Sequence, residues 1–150
     1  MTKNTRIAKY SLKLVKESNS TYEVDKLMNS PLRVAAIFNQ VFSMNELAEE
    51  IFCIACLDTK NKIIGTFEVS RGSLSASVVH PREVFKRAIL LNSASIILCH
   101  NHPSGDTQPS KEDEQVTKRL VEGGNILGIK VLDHIIVGDD YFSFRESDMI

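Results

Sequence analysis

The stretch ASIILCHNHPSGDTQPSKED (94–113) passes from an apolar run into a loop and then into the start of a helix. The run 94–99 is short and apolar, which predicts a buried strand. The prolines and glycine after it do not favour regular structure. Ser110 then offers an N-cap, and the sequence beyond it predicts a helix that ends at Gly123 and Gly124.

Further strands are predicted on both sides of this stretch. The run EIFCIACLD (50–58) is almost continuously apolar, as in a central strand covered on both faces. After a polar turn, IIGTFEVSRG (63–72) continues as the second strand of a hairpin. Towards the C-terminus, IKVLDHIIVGDDYFSF (129–144) predicts a strand, a turn and a short return strand. The alternation in IAKYSLKLV (7–15) predicts a half-buried or edge strand, whose lysines would protect the edge.

Two further helices are predicted, one from Pro31 to about Leu47 with a break near Ser43, and one that starts at Pro81 and fades at Asn92. Their apolar stripes comprise Leu32, Ala35, Ala36 and Phe38 in the first helix, and Val84, Phe85, Ala88, Ile89 and Leu91 in the second. Because helices and strands are interleaved along the chain, the sequence predicts an α/β sandwich with a mixed β-sheet flanked by helices.

Length and composition favour an ordinary globular protein. The 150 residues are predicted to form a single domain, 1–150. The 18 basic and 19 acidic residues nearly cancel, which disfavours a purely electrostatic DNA binder. An odd number of cysteines in apolar sequence, Cys53, Cys56 and Cys99, and a first segment without an apolar signal core predict a cytoplasmic location. The apolar runs are too short to span a membrane.

The histidine pair in this stretch suggests a metal site. Residues i and i+2 of a strand share a face, so His100 and His102 can direct both imidazoles at one point while Asn101 faces away. Zinc binds imidazole nitrogen and carboxylate oxygen at about 2.0–2.2 Å in tetrahedral sites. The best third ligand is Asp113, in the first turn of the next helix, where a carboxylate also suits the helix dipole.

Three protein ligands would leave the fourth position to water, as in catalytic zinc sites. Glu50, at the mouth of an apolar strand, is the candidate general base, and Ser110 is the candidate donor to the oxyanion. Alternatives stay open at several of these positions. Ser110 and Asp113 also have the spacing of a helix capping box. Asp106 is a less constrained rival to Asp113, and His134 is either a rival ligand, a packed core residue or an outer neighbour of a ligand.

The pattern H-x-H-x7-S-x2-D formed by these residues resembles the signature of the JAMM (JAB1/MPN) metalloprotease fold. The text from SRGSLSASVV to KEDEQVTKRL (70–120), followed by VLDHIIVG (131–138), closely resembles the bacterial RadC family of that superfamily. The resemblance covers about residues 45 to 145. It implies a cytidine-deaminase-like α/β sandwich.

For the site, the resemblance implies one zinc ion held by His100, His102 and Asp113, with Glu50 as general acid/base and Ser110 supporting the transition state. It also implies hydrolysis of a peptide or isopeptide bond in a protein or peptide substrate by metal-activated water. Longer RadC proteins carry a helix-hairpin-helix domain that holds DNA, and we expect none within this sequence.

Other functions are weaker expectations. The main alternative is a RadC-like DNA-repair-associated or nucleic-acid-binding protein without peptidase activity. The letters HNH also suggest a nuclease, but that class disperses its residues over a longer unit and needs a phosphate-binding surface. A zinc deaminase needs H-x-E and a later P-C-x-x-C, which this sequence lacks. An inactive interaction module is also possible, although the intact residue set argues against it.

Overall fold

The structure, a computed structural model, describes residues 4–25, 27–72 and 79–150. Its centre is a five-stranded sheet. The strands are β1 (Ile51–Leu57), β2 (Ile63–Arg71), β3 (Ser95–Asn101), β4 (Lys130–Val137) and β5 (Tyr141–Ser143). Their order in the sheet is β2-β1-β3-β4-β5. The β3–β4 pair is parallel and the other pairs are antiparallel, so the predicted mixed sheet is confirmed.

Helices cover both faces of this sheet. They are α1 (Pro31–Phe42), α2 (Pro81–Leu90) and α3 (Lys111–Leu127), and a short 3₁₀ turn, Met44–Glu46, follows α1. The side chains of β1 alternate between two apolar clusters. Cys53 packs with α1 and Met44 on one face, while Cys56 packs with α2 and α3 on the other. Every residue of β1 and β3 is therefore buried, as their continuous apolar runs predict.

Several details of the helices differ from the predictions. The break after α1 is confirmed, since Ser43 adopts a left-handed backbone with φ of 52°. The apolar stripes are partly wrong. Leu32 is 62% exposed and Ile89 is 52% exposed. Ala36 is exposed as well, and Val34 and Ile37 face the core instead. Of the predicted stripe residues, Ala35 and Phe38 of α1 and Val84, Phe85 and Ala88 of α2 are buried. The buried face of α1 is therefore slightly rotated from the predicted one.

The predicted end of α3 at the glycine pair is wrong, because the helix continues to Leu127 and is capped by Gly128 in a left-handed conformation. The glycines serve packing. A Cβ on Gly124 would lie 2.4 Å from the carbonyl oxygen of Ile129, and one on Gly123 would lie 3.1 Å from the ring of Phe85. Glycine there lets α3 approach both its following strand and α2.

The predicted strand over 7–15 is also wrong. The structure assigns no regular secondary structure to this segment, and Ile7, Tyr10 and Leu12 are each more than four-fifths exposed. The alternation supplies the period of a strand, but a strand also needs a hydrogen-bonding neighbour, and the sheet described here does not provide one. Among the described helices, none has the length and apolar character that crossing a membrane would require.

Candidate metal centre

Both histidines lie at the end of β3. The strand runs two residues beyond its predicted end, so His100 is its penultimate residue and His102 follows it directly. The N–H of His102 donates to the carbonyl of Val137 at 2.8 Å, which keeps the chain extended past β3. The two Nε2 atoms lie 3.0 Å apart. The shared face predicted from their spacing is therefore present, with His100 fully buried and His102 half-buried.

Asp113 is held by the first turn of α3. Its N–H donates to Ser110 Oγ at 3.1 Å, and its Oδ2 accepts from the N–H of Ser110 at 2.8 Å. This reciprocal pair is the capping box that the spacing offered as an alternative interpretation of Ser110. The cap leaves the Asp113 carboxylate, which is only 1% exposed, facing the histidines.

The three side chains converge on one point. Nε2 of His100 lies 3.3 Å from Asp113 Oδ1, and Nε2 of His102 lies 3.4 Å from Asp113 Oδ2. One nitrogen or oxygen from each residue lies within 4.8 Å of the other two. A metal ion could be held between them. Asp106 is not part of the group. Its carboxylate instead accepts from the N–H of Gln108 at 3.0 Å within the loop.

The chemistry of this donor set fits a cation. Asp113 Oδ1 is buried and accepts no hydrogen bond from any described residue. Burial by itself would raise the pKa of Asp113, but the adjacent His100 and His102 and the N–H of Ser110 hold it well below its usual range. Contact with Asp113 raises the pKa of His102, and the charge of Glu50 adds to the effect. Three electron-pair donors around one buried point favour a positive charge there, and a metal ion could supply it.

Glu50 lies at the start of β1, next to this group. Its carbonyl accepts from the N–H of Gly72 at 2.8 Å, and its side chain is half-buried. Its negative charge contributes to the raised pKa of His102, after the larger effect of Asp113. The antiparallel pairing of β1 with β3 explains this position, because Phe52 lies opposite His100. The role of Glu50 in catalysis stays a prediction.

Asn101, between the two histidines, faces away from them as predicted. Its side chain accepts from the N–H of Ile51 at 2.8 Å and donates to the carbonyls of Glu49 at 3.0 Å and Met44 at 3.3 Å. These three bonds fix the backbone on both sides of Glu50. Sequence reasoning missed this contact. The sequence indicated only that a polar residue between two candidate ligands would face the core.

Replacing Asn101 with alanine is expected to lower the free energy of unfolding by about 1–3 kcal/mol, since it leaves the buried N–H of Ile51 unpaired. The affinity for a metal ion should stay that of the wild type, because the three candidate ligands are untouched. Urea unfolding and a metal titration measure the two quantities. Asn125→Ala, on the exposed face of α3, is the control and should change stability by no more than about 0.5 kcal/mol. Wild-type stability of Asn101→Ala would contradict a stabilising role for these hydrogen bonds.

A further layer lies behind the histidines. His134 is completely buried in β4, with its Nε2 2.7 Å from His100 Nδ1. Its Nδ1 lies 2.6 Å from Oγ1 of Thr117, on α3. Burial lowers the pKa of His134 well below its ordinary value. His134 is therefore an outer neighbour of His100, which was one of the three interpretations of the sequence, and Thr117 was not foreseen.

A cavity of about 280 Å³ opens beside His102. One wall is the loop after β3, which turns at Gly105 with φ of 86°. A second wall is the β4–β5 turn. Its Asp139 N–H donates to the carbonyl of Gly105 at 2.9 Å and so joins the two walls. A Cβ on Gly138 would lie 2.4 Å from the same carbonyl oxygen. The two segments can therefore make contact because residue 138 is a glycine. Of the three converging side chains, His102 is the one that lines this cavity.

Comparisons with known proteins agree with this architecture. The model of the RadC-like JAB domain matches residues 28–149. A UPF0758 protein of Clostridium beijerinckii is 50% identical over 127 residues, which are 84% of this chain and 55% of that protein. A UPF0758 protein of Caldanaerobacter subterraneus is 64% identical over 96 residues, 64% of this chain and 41% of that protein.

An archaeal relative shows the same similarity. A UPF0758 protein of Methanosarcina barkeri is 56% identical over 108 residues, 71% of this chain and 47% of that protein. The chain spans about half the length of the curated relatives it matches. The family model, in contrast, covers most of the chain, and its fold is the mixed sheet with flanking helices described above. On these grounds the chain belongs to the RadC family and contains its RadC-like JAB domain.

Proposed function

We propose that this chain is a zinc-dependent hydrolase of the JAMM type that cleaves a peptide or isopeptide bond. The observation that carries the proposal is the convergence of His100, His102 and Asp113, whose candidate ligand atoms lie within 4.8 Å of one another. Two imidazoles and one carboxylate are a donor set that zinc accepts, and three protein ligands leave a position for water.

One zinc ion, when bound, would polarise the scissile carbonyl and lower the pKa of the attacking water. Glu50 would take the proton from this water and deliver it to the leaving nitrogen, so the carboxylate is regenerated in each turnover. Ser110 would donate its hydroxyl hydrogen to the oxyanion. This role is compatible with its capping contact, because there the hydroxyl oxygen is the acceptor.

The substrate proposed is a protein or peptide. The cavity beside His102 is lined by residues of the loop after β3, the β4–β5 turn and the 3₁₀ turn that follows α1, and we propose that part of the substrate chain binds there. We place the protein in the cytoplasm. In support, Cys53, Cys56 and Cys99 are buried, unpaired thiols, which suits a reducing compartment.

Metal content and cleavage of a peptide library by the same preparations test the proposal. We expect about one zinc ion per chain and cleavage activity in the wild type, and loss of both in His100→Ala. His80→Ala is the control, because His80 precedes α2 and lies outside the histidine group. A wild type that is fully loaded with zinc but cleaves no peptide would contradict the peptidase. DNA binding that weakens steeply with salt would favour a nucleic-acid function instead.

A further inference from the structure

A chain of three short contacts links the candidate ligand His100 to α3. His100 Nδ1 lies 2.7 Å from His134 Nε2, and His134 Nδ1 lies 2.6 Å from Thr117 Oγ1. Thr117 Oγ1 in turn donates to the backbone carbonyl of Asp113 at 2.6 Å. Both histidines are completely buried, and Thr117 is 1% exposed. Water therefore does not compete for these groups.

The positions of the hydrogens follow from the last contact. A carbonyl oxygen can only accept, so the single hydroxyl hydrogen of Thr117 is used on Asp113. Thr117 Oγ1 must then accept from His134, which places a hydrogen on Nδ1 of that ring. A completely buried imidazole favours its neutral form, so Nε2 of His134 is an acceptor. His100 must consequently donate from its own Nδ1.

We propose that His134 and Thr117 are positioning residues that fix His100 in the tautomer whose Nε2 electron pair faces the metal position. This inference rests on the metal centre of the proposed function. The opposite tautomer would direct an N–H at the ion and block the bond. Hydrogen bonds from the other ring nitrogen commonly fix a metal-binding histidine in this way.

The surroundings of His134 support a fixed orientation. Its ring is stacked on Phe144, with centroids 4.8 Å apart and planes at 13°, and meets Phe52 edge-on at 5.4 Å. These contacts oppose rotation of the ring. Thr117 lies one helical turn after Asp113 on α3, so the helix that supplies one candidate ligand also supplies the end of the hydrogen-bond chain that orients another.

Zinc affinity of Thr117 variants tests the inference. Thr117→Val keeps the shape but removes the acceptor for His134 Nδ1–H, which allows His134 to take the other tautomer and reverse the direction of its bond with His100. We expect the zinc dissociation constant, measured by competition with a chromophoric chelator, to rise about 10–100-fold. Thr117→Ser retains the hydroxyl, so its zinc affinity should equal that of the wild type. Thr66→Val, on β2, is a control for the same substitution elsewhere. Equal affinities for Thr117→Val and the wild type would overturn the inference.

The ring nitrogens can also be observed directly. In ¹⁵N NMR spectra of the wild type, we expect a hydrogen on His100 Nδ1, a hydrogen on His134 Nδ1 and none on His134 Nε2. A hydrogen on His134 Nε2 would overturn the inference even if Thr117→Val failed to fold. The two proposals can fail separately, because tight zinc binding with no cleavage removes the peptidase and leaves these readouts intact.

Discussion

Substitution of Glu50 by glutamine is expected to lower the kcat of peptide cleavage by about 10²–10⁴-fold while zinc content stays that of the wild type. Glutamine has nearly the same shape but cannot accept the proton of the attacking water. Glu50 is not one of the three converging side chains, so its loss should leave the metal position intact. Steady-state kinetics on a peptide found in the library screen, with metal analysis of the same samples, measure both quantities.

Glu49→Gln is the matched control for this experiment. Glu49 is the preceding residue, but its carboxylate is largely exposed and lies 3.7 Å from the guanidinium of Arg71. Its kcat should equal that of the wild type. Full activity of Glu50→Gln would exclude Glu50 as the base, and loss of zinc would make it a ligand.

Substitution of Phe52 by alanine is expected to lower the free energy of unfolding by about 3–5 kcal/mol. Phe52, on β1, is 1% exposed and packs in the apolar cluster that the sheet forms with α2 and α3. Its ring also stacks on His100 at 6.1 Å, so the cavity left by alanine would loosen a candidate ligand. Zinc affinity should therefore fall together with stability. Guanidinium unfolding of the zinc-free protein and a zinc titration measure the two effects.

An exposed apolar residue provides the comparison for Phe52. Ile126, near the end of α3, is 85% exposed, and Ile126→Ala should change stability by no more than about 0.5 kcal/mol. If Phe52→Ala lost no more stability than this control, the ring would not be part of the core. If stability fell but zinc affinity did not, the contact between Phe52 and His100 would have no part in holding the ligand.

Local sequence patterns predicted the parts of the site that depend on local geometry. His100 and His102 are neighbours on one strand, and the short loop after them returns the chain to Asp113, so spacing alone brings all three together. The contacts of Asn101 and His134 depend on which strand lies beside β3. Spacing along one strand does not reveal that neighbour, so these roles were missed or left open.

The difference between local and long-range contacts also explains the errors in the predicted fold. The buried runs of β1 and β3 predict strands because their length and composition suit only a central position. The alternation over 7–15 has the period of a strand but does not indicate which strand would pair with it. None of the described strands pairs with this segment. Gly123 and Gly124 have the composition of a helix end, but their neighbours in space, Phe85 and Ile129, make them contact points inside α3.

The three candidate metal ligands are close together in the sequence, whereas the candidate base is distant from them. His100, His102 and Asp113 are joined by one short loop, whereas Glu50 arrives only when β1 pairs with β3. Closing a short loop costs less entropy than closing a long one. Organising the three candidate ligands therefore costs less entropy than adding Glu50 to them. Metal content and turnover thus report on different parts of the fold, and active-site titration, unlike metal analysis, counts the molecules in which both parts are formed.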